Sequence, residues 1–270
     1  MNIYFGIDGT TNNDNASDTS ATEPLQVTSF VKRISLMNFD RASYIAGPMD
    51  KYTSNDSVQL ADRAVQWVLA ARNATAKSDN LRIFLGGFSR GCASVMLACE
   101  KLNASKIPVH GLFLFDAVDR TFAINSKTSR TIPANVRKAF HAYRDPNANS
   151  RPEFGNCGMV GLNNNLTKRP FYCTHGGMGG WRLGSERLVA PNDFASNMGT
   201  LGMLNLRMTT KPNNFSSSHY TESWSPNIST NVTAIQQLSG SLAVWNWMQA
   251  NVLTSRGWNL APSKSGQAYA

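Results

Sequence analysis

Apolar and polar positions alternate along the chain as short buried runs separated by longer helical or polar segments. The first run, Ile3 to Asp8, predicts a strand that ends in the polar, glycine-led stretch Gly9-Thr10-Thr11-Asn12-Asn13-Asp14. Residues 24–37 have mixed helical spacing, with Leu25, Phe30, Val31 and Ile34 apolar. Ala42 to Pro48 predicts a second strand, stopped by Gly47-Pro48. Over residues 58–72, Leu60, Ala64, Trp67, Val68 and Ala71 recur at the spacing of one helix face. Leu81 to Gly86 predicts a third strand, and residues 91–101 read as a helix rich in Ala, Met, Leu and Val. Further strands are predicted over residues 107–115, 136–143 and 170–174, and a last helix over 232–252 with Ile235, Leu238, Leu242, Trp245 and Met248 on one side. Strands alternating with helices predict an α/β fold: a mainly parallel sheet of about six strands flanked by helices.

The organisation that follows is one domain over residues 1–270. Residues 182–230, rich in Asn, Ser, Thr and Met and without clear period, read as a cap, lid or substrate-facing excursion. At 41% hydrophobic residues the chain can build a full core. No apolar run reaches the length of a membrane span. Met1-Asn2-Ile3-Tyr4-Phe5-Gly6 lacks the basic start and apolar stretch of a signal peptide, so the chain is expected to be cytoplasmic as synthesised.

Charge adds a partner class. Lys and Arg (26) outnumber Asp and Glu (17), for a net charge of +9 at pH 7. The excess is dispersed, which serves solubility and equally suits an anionic membrane surface; no specific nucleic-acid partner is expected. Four cysteines, at 92, 99, 157 and 173, show no CxxC spacing and read as free thiols of a reducing compartment, although a bridge between Cys157 and Cys173 stays open. No His, Cys and carboxylate cluster has metal-ligand spacing, and no cofactor is expected.

Chemistry enters at Gly87-Phe88-Ser89-Arg90-Gly91, where the third strand meets a helix. Gly-x-Ser-x-Gly in that setting reads as a nucleophile elbow. The serine occupies a strained turn, and the residues two before and two after it must be small because they lie against the adjoining strand and helix. Ser89 as nucleophile needs a base, and the base needs an orienting acid. Of His110, His141, His175 and His219, only His175 directly follows a strand in a glycine-rich loop at the sheet's carboxyl edge. His219, in an Asn/Ser-rich stretch, is the weaker alternative, and His141 reads as buried structure. Asp116 and Asp119 follow the fourth strand and Asp145 the fifth, so all three are candidate acids. The oxyanion would be held by the Arg90 amide and by that of Gly9 or Thr10, in a loop shaped by Asp8.

In this order the motifs resemble the α/β-hydrolase domain of the first family of type VI secretion lipase effectors and their relatives. Ile7-Asp8-Gly9-Thr10-Thr11-Asn12 is similar to their Phe-Asp-Gly-Thr-x-Asn strand end, and the elbow is identical over Gly87 to Gly91, with Cys92 in place of Ala. Phe113-Leu114-Phe115-Asp116-Ala117-Val118 is similar to Gly-Val-Trp-Asp-Thr-Val, which favours Asp116 as the acid. His141-Ala142 and His175-Gly176-Gly177-Met178-Gly179-Gly180 match a His-Ala-led strand and a His-Ser-Asp-Val-Gly-Gly loop, with Gly177 where the family has aspartate. The resemblance implies ester hydrolysis, phospholipase-like, on a lipid or small ester, and export by a secretion system that needs no signal peptide. It also implies a sheet equivalent to the third to eighth hydrolase strands, lacking the first two. The competing reading is a non-catalytic binding module on the same fold. Phosphoryl chemistry at Asp8 is disfavoured, because Gly6 stands where an aspartyl-phosphate enzyme needs a second aspartate and no Gly-Lys-Ser/Thr motif is present.

Overall fold

The computed structural model describes residues 1–10, 29–49, 55–75, 81–119, 131–151, 154–180, 206–208, 219–222 and 229–254. The strands are β1 (Asn2–Ile7), β2 (Arg41–Ile45), β3 (Arg82–Phe88), β4 (Gly111–Phe115), β5 (Thr131–Ile132), β6 (Ala139–Arg144), β7 (Val160–Gly161) and β8 (Leu166–Phe171). Six of them form one sheet in the order β2-β1-β3-β4-β6-β8. Every neighbouring pair in it is parallel. β5 and β7 pair separately. The helices are α1 (Phe30–Ser35), α2 (Asn55–Asn73), α3 (Arg90–Ala104), α4 (His175–Met178) and α5 (Ala234–Thr254).

Strand alternation builds two unlike layers. Ile3, Phe5 and Ile7, Ile83 and Leu85, and Leu112 and Leu114 pack with Ala64, Val68, Val95, Met96 and Cys99 of α2 and α3. The intervening positions, Tyr4, Phe84, Phe113 and Phe115, point the other way into an aromatic layer with Phe30 and Val31 of α1 and Val244, Trp245 and Met248 of α5. Burial on both faces explains why β1, β3 and β4 read as continuous apolar runs.

The chain steps from β1 outward to β2 and then back across β1 to β3. That reversal separates the carboxyl ends of β1 and β3, and such a switch point is where open α/β sheets form a crevice. The loops after β1 and β3, with Gly9 and Ser89, therefore meet at one edge.

Some boundaries differ from the sequence pattern. The last sheet strand was expected over 170–174 and runs over Leu166–Phe171; as an edge strand it leaves Thr167 to Pro170 exposed, so no apolar alternation marks it. The expected strand over 136–143 begins at Ala139, with Val136 pairing Val109 in the same parallel register as an isolated bridge ahead of it. Within the excursion expected over 182–230, three strands pair antiparallel: β9 (Leu206–Met208), β10 (His219–Glu222) and β11 (Ser229–Thr233). The rest of that excursion, the 24–28 part of the first helix expectation, and Thr11 to Asp14 lie outside the described residues. All four cysteines are buried free thiols. Among the described residues no helix is long and apolar enough to cross a membrane, and no group of three or more His, Cys, Asp or Glu is placed to hold a metal.

Candidate active site

Ser89 stands between β3 and α3 at φ 54°, ψ −127°. Such a conformation is strained for any residue with a Cβ and persists only where the surroundings impose it. Here they do. The Ser89 N–H donates to Phe115 O (3.0 Å), and Ser89 O accepts from the N–H groups of Cys92 (3.1 Å) and Val118 (3.2 Å). A Cβ on Gly91 would fall 2.2 Å from Asp8 O, and one on Gly87 2.7 Å from Cys92 N. The two glycines thus let β3, the first turn of α3 and the end of β1 close on the serine.

Asp116 directly follows β4, also at positive φ (44°). Its N–H donates to Ala142 O at 2.7 Å, so the β4–β6 pairing carries on into the acid. The next amide, Ala117 N–H, donates to His141 Nε2 (3.1 Å), while His141 Nδ1 donates to Gly158 O (3.1 Å). His141 is therefore a neutral structural imidazole, and burial pushes it down to about 4.

His175 opens α4 behind the cap Thr174, whose Oγ1 accepts from Gly177 N–H. Its Nδ1 lies 2.6 Å from Asp116 Oδ2 and its Nε2 lies 2.9 Å from Ser89 Oγ. A carboxylate only accepts, so Nδ1 carries the proton and the Nε2 lone pair faces the serine hydroxyl. The rings of Phe88 and Phe154 flank the imidazole at 5.0 and 5.4 Å between centroids. Burial holds His175 down to about 4, against the opposing hydrogen bond and charge of Asp116, with Arg151 and Arg144 adding to the depression. Burial would raise Asp116, but the Arg144 charge and the hydrogen bonds from His175 and Arg144 outweigh it and hold the carboxyl well below the ordinary range. A serine, a neutral imidazole and an ionised carboxylate in this order can act as nucleophile, base and orienting group.

The other candidates are placed elsewhere. The Asp145 carboxylate caps the short 3-10 helix Pro146–Ala148, accepting from Asn147 N–H at 2.8 Å. Asp119 lies beyond the bridge of Val118 to Asn156 and acts electrostatically on Cys157. His110 accepts from Ile83 N–H near the start of β3, at the amino edge of the sheet. His219 lies on β10, and its side chain is outside the described residues.

The loop after β1 is shaped by Asp8, whose Oδ1 accepts from Gly9 N–H (2.8 Å) and whose Oδ2 accepts from Tyr44 OH (2.6 Å). That narrows the choice between Gly9 and Thr10, since the Gly9 amide already serves Asp8. Gly9 packs on the serine instead, a Cβ there falling 3.2 Å from Ser89 Cβ. Arg90 opens α3, where backbone N–H groups face out of the helix end; its side chain is buried and Nη2 donates to Ser57 Oγ at 3.2 Å.

Four supporting residues were not singled out from sequence. Arg144, the last residue of β6, pairs with Asp116 at 2.6 Å. Ser150 Oγ accepts from His175 N–H (2.8 Å). From α5, Gln237 Oε1 accepts from Thr174 N–H (2.8 Å) and Ser241 Oγ donates to Gly177 O (2.8 Å). Only Arg144 had a sequence signal: a basic residue at the carboxyl end of a sheet strand, next to Asp145.

No family model matches the chain, and no curated protein matches it. Among solved structures, it is similar over 66% of its length to an uncharacterised protein from Pseudomonas aeruginosa, at 15% identity and a TM-score of 0.51. It is similar over 69% of its length to the Tle1 effector bound to the VgrG spike of the type 6 secretion system, at 15% identity and a TM-score of 0.42. Over 77% of its length it is similar to the thioesterase domain SrfTE that cyclises the lipopeptide antibiotic surfactin, at 12% identity and a TM-score of 0.32. The chain covers 41% of the first of these structures, 52% of the second and 93% of the third. The first likeness bears on the fold alone. The described fold is α/β: a six-stranded parallel sheet flanked by helices.

Proposed function

We propose that the chain is a serine ester hydrolase that cleaves carboxylic esters through an acyl-enzyme on Ser89. One observation carries this reading: Ser89 Oγ, on a strained strand-to-helix turn, is 2.9 Å from His175 Nε2, while His175 Nδ1 is 2.6 Å from Asp116. As Ser89 Oγ bonds to the ester carbonyl carbon, its proton passes to His175 Nε2. Asp116 keeps the imidazole in the required tautomer and stabilises the imidazolium. The carbonyl oxygen becomes an oxyanion facing the amides proposed for it, Arg90 and Thr10. His175 then protonates the departing alkoxide, and the alcohol leaves. Water, deprotonated by His175, attacks the acyl-enzyme; the acid is released and Ser89 regains its proton.

The motif resemblance and the +9 charge support phospholipid esters at an anionic membrane surface as the substrate class. The resemblance further supports export without a signal peptide. A fluorophosphonate probe should label the folded protein at Ser89, and Ser89→Ala should abolish labelling and lower short-acyl ester hydrolysis by roughly 10³-fold or more. Folded protein that resists the probe and turns over no ester would sink the proposal in favour of a binding module.

A further inference from the structure

Arg144 enters none of these steps, yet its guanidinium is buried against the acid. Nη1 donates to Asp116 Oδ2 at 2.6 Å, the same oxygen that accepts from His175 Nδ1. The Arg144 backbone N–H donates to Asp116 Oδ1 at 3.2 Å. The far nitrogen, Nη2, is fastened to Phe154 O (2.6 Å) and Arg151 O (3.2 Å). Orienting an imidazole does not require a cation. An acid alone would leave its full charge beside His175 and stabilise the imidazolium; a guanidinium on the same oxygen competes for that charge in a low-dielectric site.

We propose that Arg144 is a positioning residue that tunes the working pH of the Ser89–His175–Asp116 relay: fixed on Asp116 Oδ2, its charge adds to burial in keeping His175 neutral and able to accept a proton in acidic surroundings. The kinetic half of this inference rests on the hydrolase reading; the electrostatic half does not. Other described groups also face the relay. Arg151 also acts on the ring, in the same direction as Arg144. Cys92, Cys157 and Cys173, near Asp116, are buried thiols pushed above their ordinary range by burial, and so stay neutral. His141 is neutral as well. From α5 the loop is met by Gln237 and Ser241, which do not titrate.

The test is an NMR titration of the His175 imidazole in the wild type, Arg144→Lys and Arg144→Met, run beside the pH dependence of fluorophosphonate labelling. The wild-type midpoint should fall clearly below the ordinary value of about 6.5. Arg144→Met should raise it by about one pH unit or more and carry the acid limb of labelling with it. Arg144→Lys keeps the charge but cannot reach all three oxygens, so labelling should slow by about tenfold with the midpoint unchanged. A merely structural role would slow or unfold both variants without moving the midpoint. A wild-type midpoint at or above about 6.5, or an unmoved midpoint in folded Arg144→Met, overturns the proposal. Should Arg144→Met fail to fold, Arg144→Gln, which removes the charge but keeps hydrogen-bonding groups, decides: a raised His175 midpoint supports the proposal and an unmoved one overturns it. Absence of labelling in the wild type at every pH would sink the hydrolase reading and leave the titration to decide on Arg144.

Discussion

At Ser89 the backbone conformation needed for the elbow opposes the stability of the chain. A φ of 54° with ψ of −127° costs a residue with a Cβ on the order of 1–3 kcal/mol. Glycine escapes that cost and gives back about 0.5–1 kcal/mol through the greater freedom of the unfolded chain. Ser89→Gly should therefore be more stable than Ser89→Ala by about 1 kcal/mol in urea unfolding, both being inactive on the hydrolase reading; Ser89→Ala being the more stable by about 0.5–1 kcal/mol would mean that the turn carries no strain. Gly177 poses a packing problem instead. A Cβ there would sit 2.5 Å from Gln237 Nε2, so any larger side chain at 177 must push the Gln237 side chain aside. Gly177→Ala should destabilise by about 1–3 kcal/mol, and by clearly less in a Gln237→Ala background. Strictly additive effects in the double-mutant cycle would refute the clash.

The edge of the sheet that carries the candidate site is assembled by whole elements, and their legibility in sequence depended on burial. β1, β3 and β4 are covered on both faces and announced themselves as apolar runs, so the residues at their ends, Asp8, Ser89 and Asp116, could be placed at the same edge from sequence. β8 lies at the sheet's margin with Thr167 to Pro170 exposed, and its polar stretch carried no period to read. The partner of Arg144, though not its place at a strand end, was hidden for a different reason. The pairing with Asp116 arises because β6 lies beside β4 and skips β5, and strand order is a property of packing that no local pattern encodes. Gln237 and Ser241 reach α4 from some 60 residues away in the chain, which again only packing brings about. The coupling of β2 to the loop after β1 is testable at the same scale. Tyr44 OH donates to the buried Asp8 carboxylate, as does the Gly9 amide. Tyr44→Phe should destabilise by about 1–3 kcal/mol and, on the hydrolase reading, lower kcat about tenfold with KM little changed, because the loop it loosens faces the oxyanion rather than the bound ester. A fall in KM-dependent binding alone would assign Tyr44 to substrate contact.

For the molecule as a whole, proton linkage sets the acid limit. His141 and His175 are each held down to about 4 in the fold, chiefly by burial, whereas in the unfolded chain they bind a proton near the ordinary value of about 6.5. Between those values the unfolded state carries more protons than the native one, so lowering the pH favours unfolding. Each histidine contributes up to about 1.4 kcal/mol per pH unit across that window and nothing above it. Asp116 acts lower down: its folded value lies well below the ordinary range, so the stability it contributes is present above about pH 4 and drains away as pH falls further. A net charge of +9, growing more positive on acidification, adds self-repulsion in the same direction. Urea unfolding free energies should thus decline from about pH 6.5 downward with a slope approaching two protons, and His175→Gln should remove about one of them. A slope left intact by His175→Gln would show that the imidazole is not buried neutral. On the hydrolase reading, the base stays competent to about 4 while the fold loses stability from about 6.5. Loss of turnover in acid should therefore track unfolding measured by circular dichroism, and addition of an osmolyte that stabilises the fold should extend activity to lower pH without moving the His175 midpoint.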